Sequence, residues 1–516
     1  MKKLILLLIV SLTVFSCAEE KQVKFIPLTT DSLEAKAAFI DGIFREDQNE
    51  INESLEAFKK AIDLDNDFLI PKIFYNSTPS ENRERLLEAY DKRESASEIE
   101  QKIIEAFYQM NIYGNSSEAI KIFDSLITEY SDIPFLYERT ANMKAFNKDF
   151  DEAISYWEKA LELNPNSYFS ALRLGLLHIN VGDAYMMMDE ENRDLKEGEK
   201  WLKLASKIRP DASATPRFLG NVYRTELKLD KALEAYKLSV KKNTEKTSQL
   251  MVQNLMVGHT LSAMGKHKEA REAYNTTINF SINTFWWAIN HNYYAFSLLS
   301  EKKYDEAIRF LSNAQIELKT FDDSKEIIDW SIDRIEFIKW LIISHSQRKD
   351  ESMVSMDKII EFMNTQYEKD LENAVDEMER ERLSRNYKSG LLFRSSWSNI
   401  LFGEYDSARF SLNQMYEILS DRLDEDPDAL NGYHSLSGYL NLMEGNIEES
   451  LSMYEKRKER GDMDEYHSYF YALSLKASGE QEKSKEIMTS IANSAFSDWT
   501  IAMVKNLAKS QIQKNL

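Results

Sequence analysis

The chain has 516 residues, 43% hydrophobic and 29% charged, and its 86 acidic residues outnumber its 65 basic ones to give a formal charge of -21. With no run of five basic residues, the chain lacks the clustered cations that a phosphate backbone requires, so no nucleic-acid partner is expected. Only 15 Gly and 8 Pro interrupt it, while 26 Phe and 25 Tyr supply core material, which excludes a disordered chain and indicates an all-α fold.

The chain opens with Lys2 and Lys3, an apolar run from Leu4 to Phe15, and Ser16 before Cys17. The run is too short to span a bilayer permanently and has the layout of a secretory signal. Ser16-Cys17 at its end resembles a bacterial lipobox. The resemblance implies a signal peptide over 1–16, acylation of Cys17, and a membrane contact made through that lipid. Cys17 is the one cysteine, so neither a disulfide nor a cysteine-ligated zinc site can form within one chain. Ala18-Glu19-Glu20 lacks an Asp after the cysteine, and its acidic pair resembles surface-export signals; outer-membrane residence is therefore expected, in either leaflet. From 17 to 31 the chain is polar and without helical period, which predicts a tether reaching at most about 45–50 Å.

Ser32 reads as an N-cap, and an array of helix pairs is predicted from there. Its first unit carries Gly42, Ser54, Phe58 and Ala61. Residues 67–94 blur the pattern, which returns with Ala119 and Phe123 and is full at 134–166 with Tyr137, Ala141, Phe150, Ala153, Trp157, Ala160 and Pro165. The next unit, 167–211, holds an insertion around 183–193 with Met186, Met187 and Met188, expected as an apolar plug. Residues 213–244 give the clearest copy: Leu219-Gly220, Tyr223, Ala232, Tyr236 and Ser239. Small residues at these places let two antiparallel helices approach closely.

This small-and-aromatic spacing resembles the tetratricopeptide repeat. The resemblance implies a right-handed superhelical solenoid of stacked antiparallel helix pairs: an N-terminal array over 32–320, divergent repeats over 321–400, and C-terminal repeats with a capping helix over 401–516. About twelve units are expected. Phe285-Trp286-Trp287 reads as core at a repeat junction or, alternatively, as an exposed stacking platform. Tyr367 to Arg385 shows helical spacing with both charge signs, and its length suggests an extended or irregular helical pair. Asp498 to Gln511 reads as the polar-backed cap of the array.

No nucleotide, acyl-transfer or zinc-protease motif occurs, and none of the seven histidines has a second one three or four residues away, so no enzyme, cofactor or metal is expected. Asp424-Glu425-Asp426-Pro427-Asp428 begins like a calcium loop, but Ala429 and Ser435 stand where Gly and Glu are needed. Asp428 is instead expected to cap the next helix. Some members of the family clamp a peptide carboxylate; Arg217 and Asn221 match the first pair of such a clamp, whereas Met256, Ile289 and Tyr293 break the rest. Arg217, Asn221, Arg224 and His259 are expected to line the concave groove by helix register. The function expected is a lipid-anchored scaffold or adaptor that binds a protein or peptide in that groove. The alternative is a glycan-capturing lipoprotein of the SusD-like type, which partners a transporter and needs longer loops than this composition supplies. Self-association is left open.

Overall fold

The computed structural model describes residues 23–47, 50–179, 188–243, 247–423, 426–495 and 497–513. The signal segment, Cys17, Met186, Met187, Asp424 and Glu425 lie outside the described residues.

The described residues contain twenty-five α-helices, three short 3-10 turns and no strand. The helices sort into twelve pairs and a last single helix. The first four pairs are α1 (Leu33–Asp47) with α2 (Ile51–Leu64), α3 (Ile70–Phe74) with α4 (Pro79–Asp91), α5 (Glu98–Ile112) with α6 (Ser116–Glu129), and α7 (Pro134–Phe146) with α8 (Phe150–Leu163). Then come α9 (Tyr168–Leu177) with α10 (Leu195–Ile208), α11 (Ala214–Thr225) with α12 (Leu229–Lys242), α13 (Thr247–Ala263) with α14 (His267–Asn279), and α15 (Thr284–Ser300) with α16 (Tyr304–Leu318). The last four are α17 (Lys325–His345) with α18 (Lys349–Glu372), α19 (Glu377–Leu401) with α20 (Tyr405–Leu419), α21 (Asn431–Glu444) with α22 (Ile447–Lys458), and α23 (Glu465–Ser478) with α24 (Gln481–Asn493), followed by α25 (Trp499–Gln513).

Local sequence starts these helices where their orphan N–H groups find acceptors. Ser97 and Glu100 form a capping box on α5, and the side chains of Asn283, Asp376 and Asp464 accept from N–H groups in the first turns of α15, α19 and α23. Within pairs, glycine sets the spacing. A methyl group on Gly220 would stand 2.5 Å from the Tyr236 ring, and one on Gly258 2.5 Å from Tyr274. Each ring therefore lies against bare backbone of the facing helix. Tyr236, Tyr274 and Tyr454 are each at most 1% exposed, and burying such a side chain contributes about 1.5–3 kcal/mol.

Three stretches can be set against the sequence reading. The stretch 23–31, expected as tether, is docked: Ile26 is buried, Phe25 lies 5.1 Å from the Phe135 ring, and the Thr29 N–H donates to Glu100 at 3.0 Å. The charged run from Tyr367 to Arg385 is divided between two helices: α18 ends at Glu372 and α19 starts behind its Asp376 cap. Asp428 does not cap α21, which begins at Asn431; its carboxylate is drawn instead to Lys148 at 3.2 Å and Arg460 at 3.0 Å.

Residues far apart in sequence meet at three places, so the array closes on itself. Arg83 of α4 grips Glu379 of α19 through two nitrogens, at 2.5 and 2.6 Å, while Tyr113 donates to Asp376 at 2.8 Å. Lys148 pairs with Asp428, and the described part of the 183–193 insertion holds the turn after α22: Arg193 pairs with Asp462 at 3.1 Å, and Asp189 accepts from its N–H at 3.0 Å. Finally α25 packs on α23 and α24 and also reaches back to α15 and α17. It does more than end the stack. Trp499 enters the cluster of Phe337, Trp397 and Tyr466, with ring centroids 5.8 Å from each.

Candidate binding surface

The four residues expected to line an open groove lie close together but packed shut. Arg217, Asn221, Arg224 and His259 are 4%, 3%, 2% and 3% exposed. Asn221 follows Gly220, and His259 follows Gly258, so they hold equivalent places in consecutive repeats. Each serves the tyrosine that its glycine admits: the Tyr236 hydroxyl donates to Asn221 Oδ1 at 2.6 Å, and the Tyr274 hydroxyl bonds His259 Nδ1 at 2.9 Å. A buried hydroxyl without such a partner is costly. All four side chains are therefore buried, and Asn221 and His259 are bound to tyrosines of the facing helices.

Electrostatics follow from this burial. Burial pushes the Tyr236 hydroxyl up to about 12. It holds His259 well below the usual imidazole range, with the Arg224 guanidinium adding to the effect. His259 is thus neutral and can accept from Tyr274. The arginines rest on rings, Arg217 4.3 Å from the Phe218 centroid and Arg224 5.6 Å from Tyr236. Such cation–π contacts serve packing as well as they would serve a ligand.

One charged cluster was not found from the sequence. Arg139 of α7 is 7% exposed and donates to Glu46 and Asp47 at the end of α1, both at 3.0 Å. Beside it Glu138 accepts from Ser167 and Ser170 at 2.6 and 2.9 Å. Burial raises Asp47 well above the carboxylate range, with Arg139 opposing. The available signal was Glu138-Arg139 inside Pro134–Phe146, a helix without a polar face that is buried on nearly every side.

Of the remaining sequence candidates, Phe285, Trp286 and Trp287 are half-buried, and the Trp287 ring lies 3.7 Å from His291 and 4.9 Å from Phe321. Met188 is buried against Leu174, Leu177 and Trp157. Among the described residues no group of three or more His, Cys, Asp or Glu is placed to hold a metal ion, and no helix is long and apolar enough to cross a membrane. Two recesses stand out. One of about 490 Å³ lies between α1 and α2, lined by Glu34, Asp41, Arg45, Glu53 and Lys60 among others. The second, about 100 Å³, lies where α25 meets α13–α15.

A model of the tetratricopeptide repeat family matches residues 137–167, which covers α7 beyond its first turn and α8. No curated protein matches the chain. Among solved structures it is similar to a tetratricopeptide repeat protein from Parabacteroides merdae, at 12% identity over 59% of this chain and 99% of that one, TM-score 0.33. It is also similar to the human IFIT1 dimer with PPP-AAAA, at 16% identity over 83% and 91%, TM-score 0.35. A third is Naa15/Naa10 bound to HypK-THB, at 15% identity over 93% and 67%, TM-score 0.25. The matched unit is the α7–α8 pair, and three further pairs set a glycine of one helix against a buried tyrosine of the other, so this chain carries a tetratricopeptide repeat within an all-helical stack of pairs.

Proposed function

We propose that the protein is a lipid-anchored scaffold of the bacterial outer membrane that holds protein or peptide partners without a covalent step. The observation that carries this reading is the array itself: a matched tetratricopeptide unit within twelve stacked helix pairs, an architecture that offers a large fixed surface for partners. The anchor rests on the Lys2-Lys3, Leu4–Phe15 and Cys17 pattern. Because Phe25 and Ile26 are already docked on the array, only residues 18–24 separate Cys17 from Phe25. Seven residues reach at most about 25 Å, so acylation would hold the array close to the bilayer. Entry of a ligand to Arg217, Asn221, Arg224 and His259 would require packed helices to part, so partners are met by exposed residues of the array.

The test is photo-crosslinking in intact envelopes from exposed positions such as Phe146 and Phe410, which are 72% and 65% exposed, with a Cys17→Ala control. A defined set of proteins, lost when the anchor is removed, is expected. Recovery of a TonB-linked transporter together with glycan retained by the purified protein would replace the scaffold by glycan capture.

A further inference from the structure

The recess between the C-terminal helix and the repeats gathers positive charge in a chain whose net charge is -21. Its walls come from three parts of the molecule: Ser262 and His267 around the α13–α14 turn, Ser297 and Ser300 of α15, and Lys505, Asn506 and Lys509 of α25. Lys505 and Lys509 stand one helical turn apart on α25, a like-charge spacing that destabilises a helix unless something compensates it. Neither lysine forms an ion pair among the described residues. Lys505 is half-buried and spends one N–H on the Ser494 carbonyl.

Two acids stand close: Asp498 lines the recess beside the lysines, and Glu301 acts on His267. Glu301 is paired with Arg271 and with Lys303, and Asp498 caps α25, accepting from the Thr500 hydroxyl at 2.6 Å and the Ile501 N–H at 2.9 Å. Burial and the nearby Lys509 depress Lys505 to about 8, as expected for a cation that lacks a counter-charge. His267 is lowered as well, by burial and then by Arg271, Lys505 and Lys509, against the pull of Glu301.

We propose that this recess, walled by Lys505, Lys509, His267 and Ser262, binds a small tetrahedral oxyanion such as inorganic phosphate or sulfate, which staples the C-terminal helix to the repeats. The volume of about 100 Å³ suits one such ion with a water and excludes a nucleotide. The lysines supply charge-assisted donors, and the serine hydroxyl and the imidazole supply directional ones. Because the walls belong to α25 on one side and α13–α15 on the other, a bound ion stabilises the closed arrangement by mass action.

Isothermal titration of the purified protein with inorganic phosphate, against sodium chloride of equal ionic strength, tests this directly. Saturable binding of one phosphate per chain is expected, competed by sulfate and weakened at least tenfold by Lys509→Gln, an exposed change compatible with folding. Phosphate is also expected to slow tryptic release of α25 in the wild-type protein, and to do so less in Lys509→Gln. No saturation beyond the chloride control overturns the proposal, as does wild-type affinity in a folded Lys505→Gln/Lys509→Gln variant.

Discussion

A single contact type, repeated, shows how residue choice becomes spacing. Gly220, Gly258 and Gly438 each face a fully buried tyrosine ring, and an added methyl group would stand 2.5, 2.5 and 2.8 Å from it. Two of the three tyrosines also have a hydroxyl acceptor one residue after the glycine; the Tyr454 hydroxyl is buried with no hydrogen-bond partner among the described residues. Gly220→Ala forces the Tyr236 ring or its helix outward, and overpacking of this kind costs about 1–3 kcal/mol. A lower urea midpoint with an unchanged slope is expected in chemical denaturation of that variant. A midpoint equal to the wild type would show that the ring is not held against the backbone. Small-and-aromatic spacing is local, which is why this level of the fold was legible: Gly220, Ala232 and Tyr236 read as one unit before any helix was placed. The role of Asn221 and His259 was not legible, since register gives the direction of a side chain and says nothing of what covers it.

At the scale of elements, the longest helices and the last one carry what repetition alone does not explain. α18 and α19, at 24 and 25 residues, outrun the neighbouring helices, and their extra turns bring Asp376 and Glu379 to Tyr113 and Arg83. The boundary between them falls at Asn373, Ala374 and Val375, and the Asp376 side chain, accepting the Glu379 N–H at 2.8 Å, marks the restart. α25 docks beside Glu465, a carboxyl oxygen of which lies 3.0 Å from the Thr500 hydroxyl oxygen. Burial, and then the charge of Asp498, raise the Glu465 carboxyl to about 7. The packed state therefore favours the protonated acid. A carboxyl raised on folding contributes stability that is full below its ordinary value near 4.5 and is lost as pH rises through about 7. Proteolytic release of α25 is expected to quicken between pH 6 and 8 in the wild-type protein and to change little over that range in Glu465→Gln. Parallel pH profiles would place the pH response elsewhere.

For the molecule as a whole, closure is the property that a repeat pattern could not announce. The pairs Arg83–Glu379, Lys148–Asp428 and Arg193–Asp462 join residues roughly 270–300 positions apart, and nothing in local spacing couples them. Charged residues that read as solvated face or as a helix cap, Asp428 among them, turn out to be fastenings. The described part of the insertion around 183–193 spends Asp189 and Arg193 on the turn after α22. Glu379, with its side chain 1% exposed, would keep only Arg382 at 3.5 Å as a counter-charge if Arg83 moved away, a costly loss for a buried carboxylate. The number of helix pairs and the all-helical class could be read from the sequence because each pair is a local event; the packed interior could not, because it depends on where the array returns.

Zero-length carbodiimide coupling of the dilute purified protein, followed by peptide mapping of the monomer band, tests that closure most directly. It joins a lysine to a carboxylate only where the two already touch. A covalent Lys148–Asp428 peptide, its yield independent of protein concentration and lost in Asp428→Asn, is the result predicted here. Coupling confined to neighbours in sequence, such as Lys59 with Asp63 at 2.6 Å, with no Lys148–Asp428 product, would contradict the closed array.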